Sequence, residues 1–195
     1  MLTEMIYVSW THLIQVMWLA LFIYWCFGAG RLKAVERRES RVQRASHSVP
    51  MLLAALLFIL PGRDLGVLAA PFMERTWTSY SIGVVLVVFG CGFAMLARRH
   101  LGANWSAAVT LKHDHSLVQN GPYRYIRHPI YTGLVLAFAG NALALGEWRG
   151  LLALLMVCVS LVFKLRREER WMLEHFGTTY TDYRRGSWAL LPWIY

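Results

Sequence analysis

The sequence predicts an all-α fold, a polytopic membrane bundle of about five transmembrane helices with the N-terminus outside and the C-terminus inside. Three observations predict it. Apolar residues make up 57% of the 195-residue chain, charged residues only 16%, and the mean hydropathy is +0.41. A typical globular chain carries roughly 25% charge, and a soluble protein this apolar would expose large sticky patches. The apolar residues gather into runs near the length of about 20 that a helix needs to cross a bilayer. The Lys and Arg residues, source of a net charge of +9, sit almost wholly on one side of those runs.

Residues 9–29, SWTHLIQVMWLALFIYWCFGA, form the first predicted span. Glu4 interrupts the N-terminus, no basic residue precedes the run and no A-x-A site follows it, so the segment is expected to stay in the membrane as an anchor. The second run, VPMLLAALLFILPG from Val49, is short for an untilted span and is followed by Arg63 and Asp64. It is read as a span because its neighbours then obey the charge rule. Residues 79–97 form the third span, and 129–146 and 148–165 form a pair split by GEWRG. Basic residues concentrate in cytoplasmic loops. With five spans, all but Arg63, Arg75 and Arg149 fall on one face. Topology and anionic lipid headgroups therefore account for the positive charge, and nucleic acid is not an expected partner. Cys26, Cys91 and Cys158 each lie inside an apolar run with no CxxC pair. They read as small buried hydrophobes, not as ligands or a disulfide framework.

The chain divides into residues 1–97, holding three spans, and residues 98–195, holding two spans and two long polar segments on the cytoplasmic face. Those segments, about 98–128 and 166–195, exceed what connectors need. Rich in His, Tyr, Arg and Glu, they are where a site is expected.

The first segment ends in GPYRYIRHPIYTG, residues 121–133. Pro129 is suited to the first turn of a helix, and His128 before it is held extended or as a cap. Gly133 lets another group approach the backbone one turn later. The helix start offers unpaired N–H groups and partial positive charge. Tyr123, Arg124, Arg127, His128 and Tyr131 are too dense for interfacial decoration alone. Upstream, His113 and His115 lack a third ligand nearby, so no metal site is expected. The NGP turn is expected to swing residues 115–119 back over the helix start.

The last span runs into KLRREERWMLEHFG. At about 100° per residue, with Leu165 at zero, Met172 and Phe176 fall within about 20°, Glu168 near about −60° and Glu169 near about +40°. Both acids flank or share the apolar stripe. Arg167, Arg170 and Glu174 take the wet face, and Lys164 sits one turn before Glu168. Carboxylates turned inward need cationic partners or a ligand; Arg124, Arg127, His128 or a bound ammonium are candidates. The final Trp and Tyr residues read as interfacial anchors or packing.

HSLVQNGPYRYIRHPIYTG, followed after an apolar gap by KLRREERWMLEHFGTTYTDY, resembles the isoprenylcysteine carboxyl methyltransferase family, integral-membrane enzymes related to phospholipid N-methyltransferases. The resemblance covers about residues 98–192. It implies a membrane methyltransferase with a cytoplasmic S-adenosylmethionine site, in a bacterial inner membrane or its equivalent, acting on a lipophilic acceptor such as a prenylated cysteine or a lipid-like molecule. It implies that His115, Ser116, Leu117, Val118, Tyr123, His128, Pro129, Ile130, Tyr131 and Glu168 hold the methyl donor. The family usually has an arginine four residues before that Glu; here stands Lys164, which keeps the charge without the bidentate fork. Lys164, Arg127 and Glu169 are the expected catalytic residues. A carboxylate acceptor needs no general base, whereas an amine or thiol acceptor could use His128 or Glu169. The alternatives are phospholipid N- or small-thiol S-methylation and a non-enzymatic membrane protein with a degenerate site. A transporter is disfavoured, because no predicted span carries Asp, Glu, Lys or Arg at its middle.

Overall fold

The computed structural model describes residues 2–27, 35–106, 108–112 and 116–192. Each predicted apolar run falls mainly within a helix, residues 28 and 29 of the first run lying outside the described residues: α1 (Leu2–Phe27), α2 (Arg41–Ile59), α3 (Trp77–Leu101), α4 (Pro129–Leu145) and α5 (Trp148–Phe176), followed by a short α6 (Thr178–Arg185). Of these, α2, α3 and α5 are long and apolar enough to cross a membrane; Thr11–Phe27 of α1 and Pro129–Leu145 are shorter apolar helices. Large apolar side chains such as Val85, Phe89, Leu155 and Phe163 remain exposed on the helix faces, as suits lipid rather than water outside.

Two features depart from the reading of the sequence. First, the chain is not wholly helical: β1 (Val35–Arg38) pairs antiparallel with β2 (Thr110–Lys112), with Arg38 opposite Thr110. The ribbon depends on a partner far along the chain, which local periodicity cannot reveal. Second, α2 begins at Arg41, well before the apolar run at Val49. Ser40 and Gln43 form a capping box, Gln43 N donating to Ser40 Oγ at 3.2 Å and Ser40 N to Gln43 Oε1 at 3.1 Å. Two polar turns thus lengthen the short span to 19 residues. At its other end, Arg149 of α5 donates from Nη1 to the carbonyls of Leu57 at 3.2 Å and Leu60 at 2.6 Å, closing the orphan end of α2.

The tightest helix contact is between α3 and α4. Glycines recur seven residues apart on each: Gly83 and Gly90 on α3, Gly133 and Gly140 on α4. They mesh as an antiparallel pair. A Cβ on Gly90 would lie 2.5 Å from the carbonyl oxygen of Gly133, and one on Gly83 would lie 2.6 Å from that of Gly140. Small residues at such an interface let backbones touch, and packing replaces the hydrophobic effect that lipid cannot supply. Gly133 therefore admits the backbone of α3. α1 packs on α3, α2 packs on α5, and α4 joins the two sets through α5. Gly90→Ala is expected to destabilise the protein by about 1–3 kcal/mol, because the clash is with backbone and cannot be relieved by a rotamer. Thermal unfolding in detergent, with Gly92→Ala as the unhindered control, checks this.

Candidate functional site

Pro129 occupies the first position of α4 and His128 its N-cap, with φ −123° and ψ 58°. The His128 side chain caps nothing and is free to turn toward α5. Because α5 continues unbroken from the apolar run through Phe176, its acids emerge beside it. His128 Nδ1 lies 3.5 Å from Glu168 Oε2, and Nε2 lies 3.5 Å from Glu169 Oε1. Tyr131, one turn on, stacks its ring on His128 at 5.3 Å and 1°. Its hydroxyl donates to Glu168 Oε1 at 2.7 Å. Lys164, one turn before Glu168, is buried with its ammonium 5.2 Å above the Tyr131 ring.

These groups border one cavity of about 640 Å³. Ser116, Leu117, Val118, Tyr123, Arg127, His128, Ile130, Tyr131, Lys164 and Glu168 all line it. Phe22, Trp25 and Cys26 of α1, Met51 of α2, Leu134 of α4 and Leu161 of α5 extend it between the helices as an apolar arm. Pro129 is buried at the helix start. His115 lies outside the described residues. Glu169 stands behind the wall: it accepts from Arg127 Nε at 2.7 Å and lies 3.6 Å from Arg184 Nη2. Its contacts suit it to orienting His128 and Arg127 rather than to taking a proton inside the cavity.

The sequence profile of the phospholipid methyltransferase family matches residues 78–179, which hold both arms of this constellation. The chain belongs to that family. Among individual proteins, it is 27% identical over 124 residues to a protein-S-isoprenylcysteine O-methyltransferase of Dictyostelium discoideum, covering 62% of this chain and 52% of that one. It is also 27% identical to a steroid 5-alpha-reductase of Solanum lycopersicum, covering 65% of this chain and 47% of that one. The fold is similar to that of the eukaryotic intramembrane Ras methyltransferase, isoprenylcysteine carboxyl methyltransferase, with a TM-score of 0.55 and 26% identity over 75% of this chain and 52% of that one. The chain thus spans about half the length of these proteins.

Three supports of the site escaped the sequence. Residues 187–190 form a strap along the bend: Arg127 N donates to Trp188 O at 2.8 Å, His128 N to Ala189 O at 3.0 Å, and Thr132 Oγ1 to Leu190 O at 2.7 Å. Arg127 Nη1 also donates to the carbonyl of Ser187. All four acceptors are main-chain carbonyls, which leave no trace in side-chain pattern. Tyr183 of α6 donates to the carbonyl of Tyr123 at 2.5 Å. Glu39, whose side chain is wholly inaccessible, accepts from Val109 N at 3.0 Å and Arg167 Nη1 at 2.9 Å and pairs with His47 Nε2 at 2.9 Å. It ties β1, α2, α5 and the segment before β2 into the wall that carries Lys164. Burial opposes its ionisation, but His47, the Val109 amide and Arg167 outweigh that and hold its pKa below the usual carboxylate value.

Burial likewise works against a charged His128, yet Glu168 and Glu169 outweigh it and raise the pKa above the ordinary imidazole value. A raised folded pKa contributes stability that is complete below about 6.5 and is lost as pH climbs through the folded value. The gap in thermal midpoint between wild type and His128→Gln is therefore expected to be largest near about pH 6 and to shrink toward about pH 9. A pH series of melting curves for the two proteins measures it; a gap that widens with pH overturns the assignment.

Proposed function

We propose that this protein is an S-adenosylmethionine-dependent membrane methyltransferase that esterifies the carboxylate of a lipophilic acceptor, an isoprenylcysteine or a molecule like it. The observation that carries the reading is the convergence of His128, Tyr131, Glu168 and Lys164 on a cavity that continues between apolar helices. In this reading five helices span the bilayer with the N-terminus out, and the site opens at the cytoplasmic face. Residues from 98 onward supply most of it, and the first helices close it.

The residues present fit the donor. Its ammonium suits the Glu168 carboxylate, its carboxylate suits the partial positive charge at the start of α4, and its sulfonium suits the ring face of Tyr123. A cavity of about 640 Å³ is within the range that holds a small ligand, about 300–1,000 Å³. When bound, the donor supplies an electrophilic methyl group. Lys164, buried in the wall, would orient the acceptor carboxylate, whose oxygen forms the new C–O bond as the C–S bond opens, leaving a neutral thioether. No proton moves, so no base is required. Alignment and exclusion of water are the work left to the protein. An amine acceptor, as in the alternative of phospholipid N-methylation, fits this wall less well, because Lys164, Arg38 and Arg44 all border the cavity and repel an ammonium. The likeness to a protein named for a reductase places weight on these residues rather than on the fold.

Glu168→Gln is expected to weaken binding of S-adenosylhomocysteine by about tenfold or more, as a charge-assisted contact is lost. Calorimetry on detergent-purified protein checks it, and unchanged affinity would remove Glu168 from the donor site. Lys164→Met is expected to lower kcat/KM for S-farnesylcysteine by about 100-fold or more while leaving S-adenosylhomocysteine affinity within about threefold. Lys164→Arg, which restores the usual residue of the resembled family, is expected to keep activity. Transfer of labelled methyl to base-labile ester measures both.

A further inference from the structure

β1 and the start of α2 send successive charged side chains into different surroundings. Arg37 faces α5: its Nη1 reaches Glu174 Oε2 at 2.6 Å and its guanidinium lies 4.3 Å over the Trp171 ring. Glu39 turns inward to His47, Arg167 and the Val109 amide. Arg38 and Arg44 instead line the cavity. Among the described residues, neither guanidinium has a hydrogen bond or an ion pair. Glu39 is engaged in its own knot and Glu168 with Tyr131 and His128. Arg44 is close enough to Lys164 for the two charges to repel.

Arg38 and Arg44 are exposed to solvent where they border the cavity, and with the buried Lys164 they give that wall a positive field that attracts an entering anion. The reacting carboxylate brings one negative charge, and Lys164 faces it. Two forked guanidinium groups remain, each shaped to grip an oxyanion in bidentate fashion. We propose that Arg38 and Arg44 form a second anion subsite, which binds a further carboxylate or phosphate carried by the acceptor beside the group that is methylated. The proposal rests on the methyl-transfer reading and narrows it to acceptors with at least two acidic groups at the head of an apolar chain.

Three N-acetylated dipeptides test it: alanyl-, aspartyl- and phosphoseryl-(S-farnesyl)cysteine, which share one tail and one reacting carboxylate and differ in the second anion. Their affinities are measured by calorimetry with S-adenosylhomocysteine present. The wild type is expected to bind the aspartyl or the phosphoseryl peptide, or both, about tenfold more tightly than the alanyl one; which of the two wins identifies carboxylate or phosphate. The double variant Arg38→Gln, Arg44→Gln is expected to bind all three alike and to bind S-adenosylhomocysteine as wild type does. Arg37→Gln, on the opposite face of the same strand, keeps the preference and controls for folding. Equal affinities in the wild type, or a preference that survives the double variant, overturn the subsite and leave the methyl-transfer reading standing. Failure of the wild type to bind S-adenosylhomocysteine overturns both.

Discussion

The contact between His128 and the paired acids of α5 is the constraint around which this molecule is arranged. Glu168 and Glu169 are turned into the protein at a depth where an unpaired carboxylate is costly. Their neutralisation comes from an imidazole at the start of another helix and from Arg127 beside it. Neither segment can satisfy its charges alone, so the entrance to α4 and the exit of α5 are bound to each other electrostatically. The surrounding structure serves that geometry. The glycine mesh sets the height of α4 against α3, the strap at residues 187–190 fixes the backbone of the bend, and the unbroken α5 carries the acids in phase with Lys164.

The cavity has two kinds of wall. Lys164, Glu168 and three arginines make it polar in part, and Phe22, Trp25, Met51, Leu134 and Leu161 make it apolar elsewhere. A molecule with an apolar chain and an ionic head would find each part matched by the wall it meets. A charge at the bilayer border keeps access to water while its partners stay partly desolvated, where electrostatic contacts are stronger. This accounts for the placement of so much polar chemistry at the beginning of the apolar helix α4.

Much of the site was legible in the sequence because its logic is local. Pro129 marks the helix start by its fixed φ, and His128 is placed by it. The helical phase of α5 put Glu168, Glu169 and Lys164 on the inward side, where the structure has them. The helix positions followed from hydropathy, although α4 has only 17 residues and, among the described residues, three helices reach the length and apolarity of a span. What stayed hidden depends on distant pairing. The ribbon of β1 and β2 needs both strands at once, and the burial of Glu39 needs α2 and α5 to be in place around it. The strap acts through carbonyl groups that every residue has. Ser40 and Gln43 were the exception, since their capping box is a local signal that the apolar run after them obscured.

The glycine mesh between α3 and α4 bears on how the molecule can breathe. Two backbones in contact at glycines one heptad apart form a plank with no side chains to rearrange at those points, so that flank cannot part without losing its packing. Among the described residues α1 and α2 share no extensive contact, and their side chains face each other across the apolar arm of the cavity. Compliance is therefore confined to one seam. In the methyl-transfer reading, a long-chain acceptor would slip in sideways between α1 and α2, never leaving the hydrocarbon, and its supply would follow its density in the leaflet rather than its solubility in water.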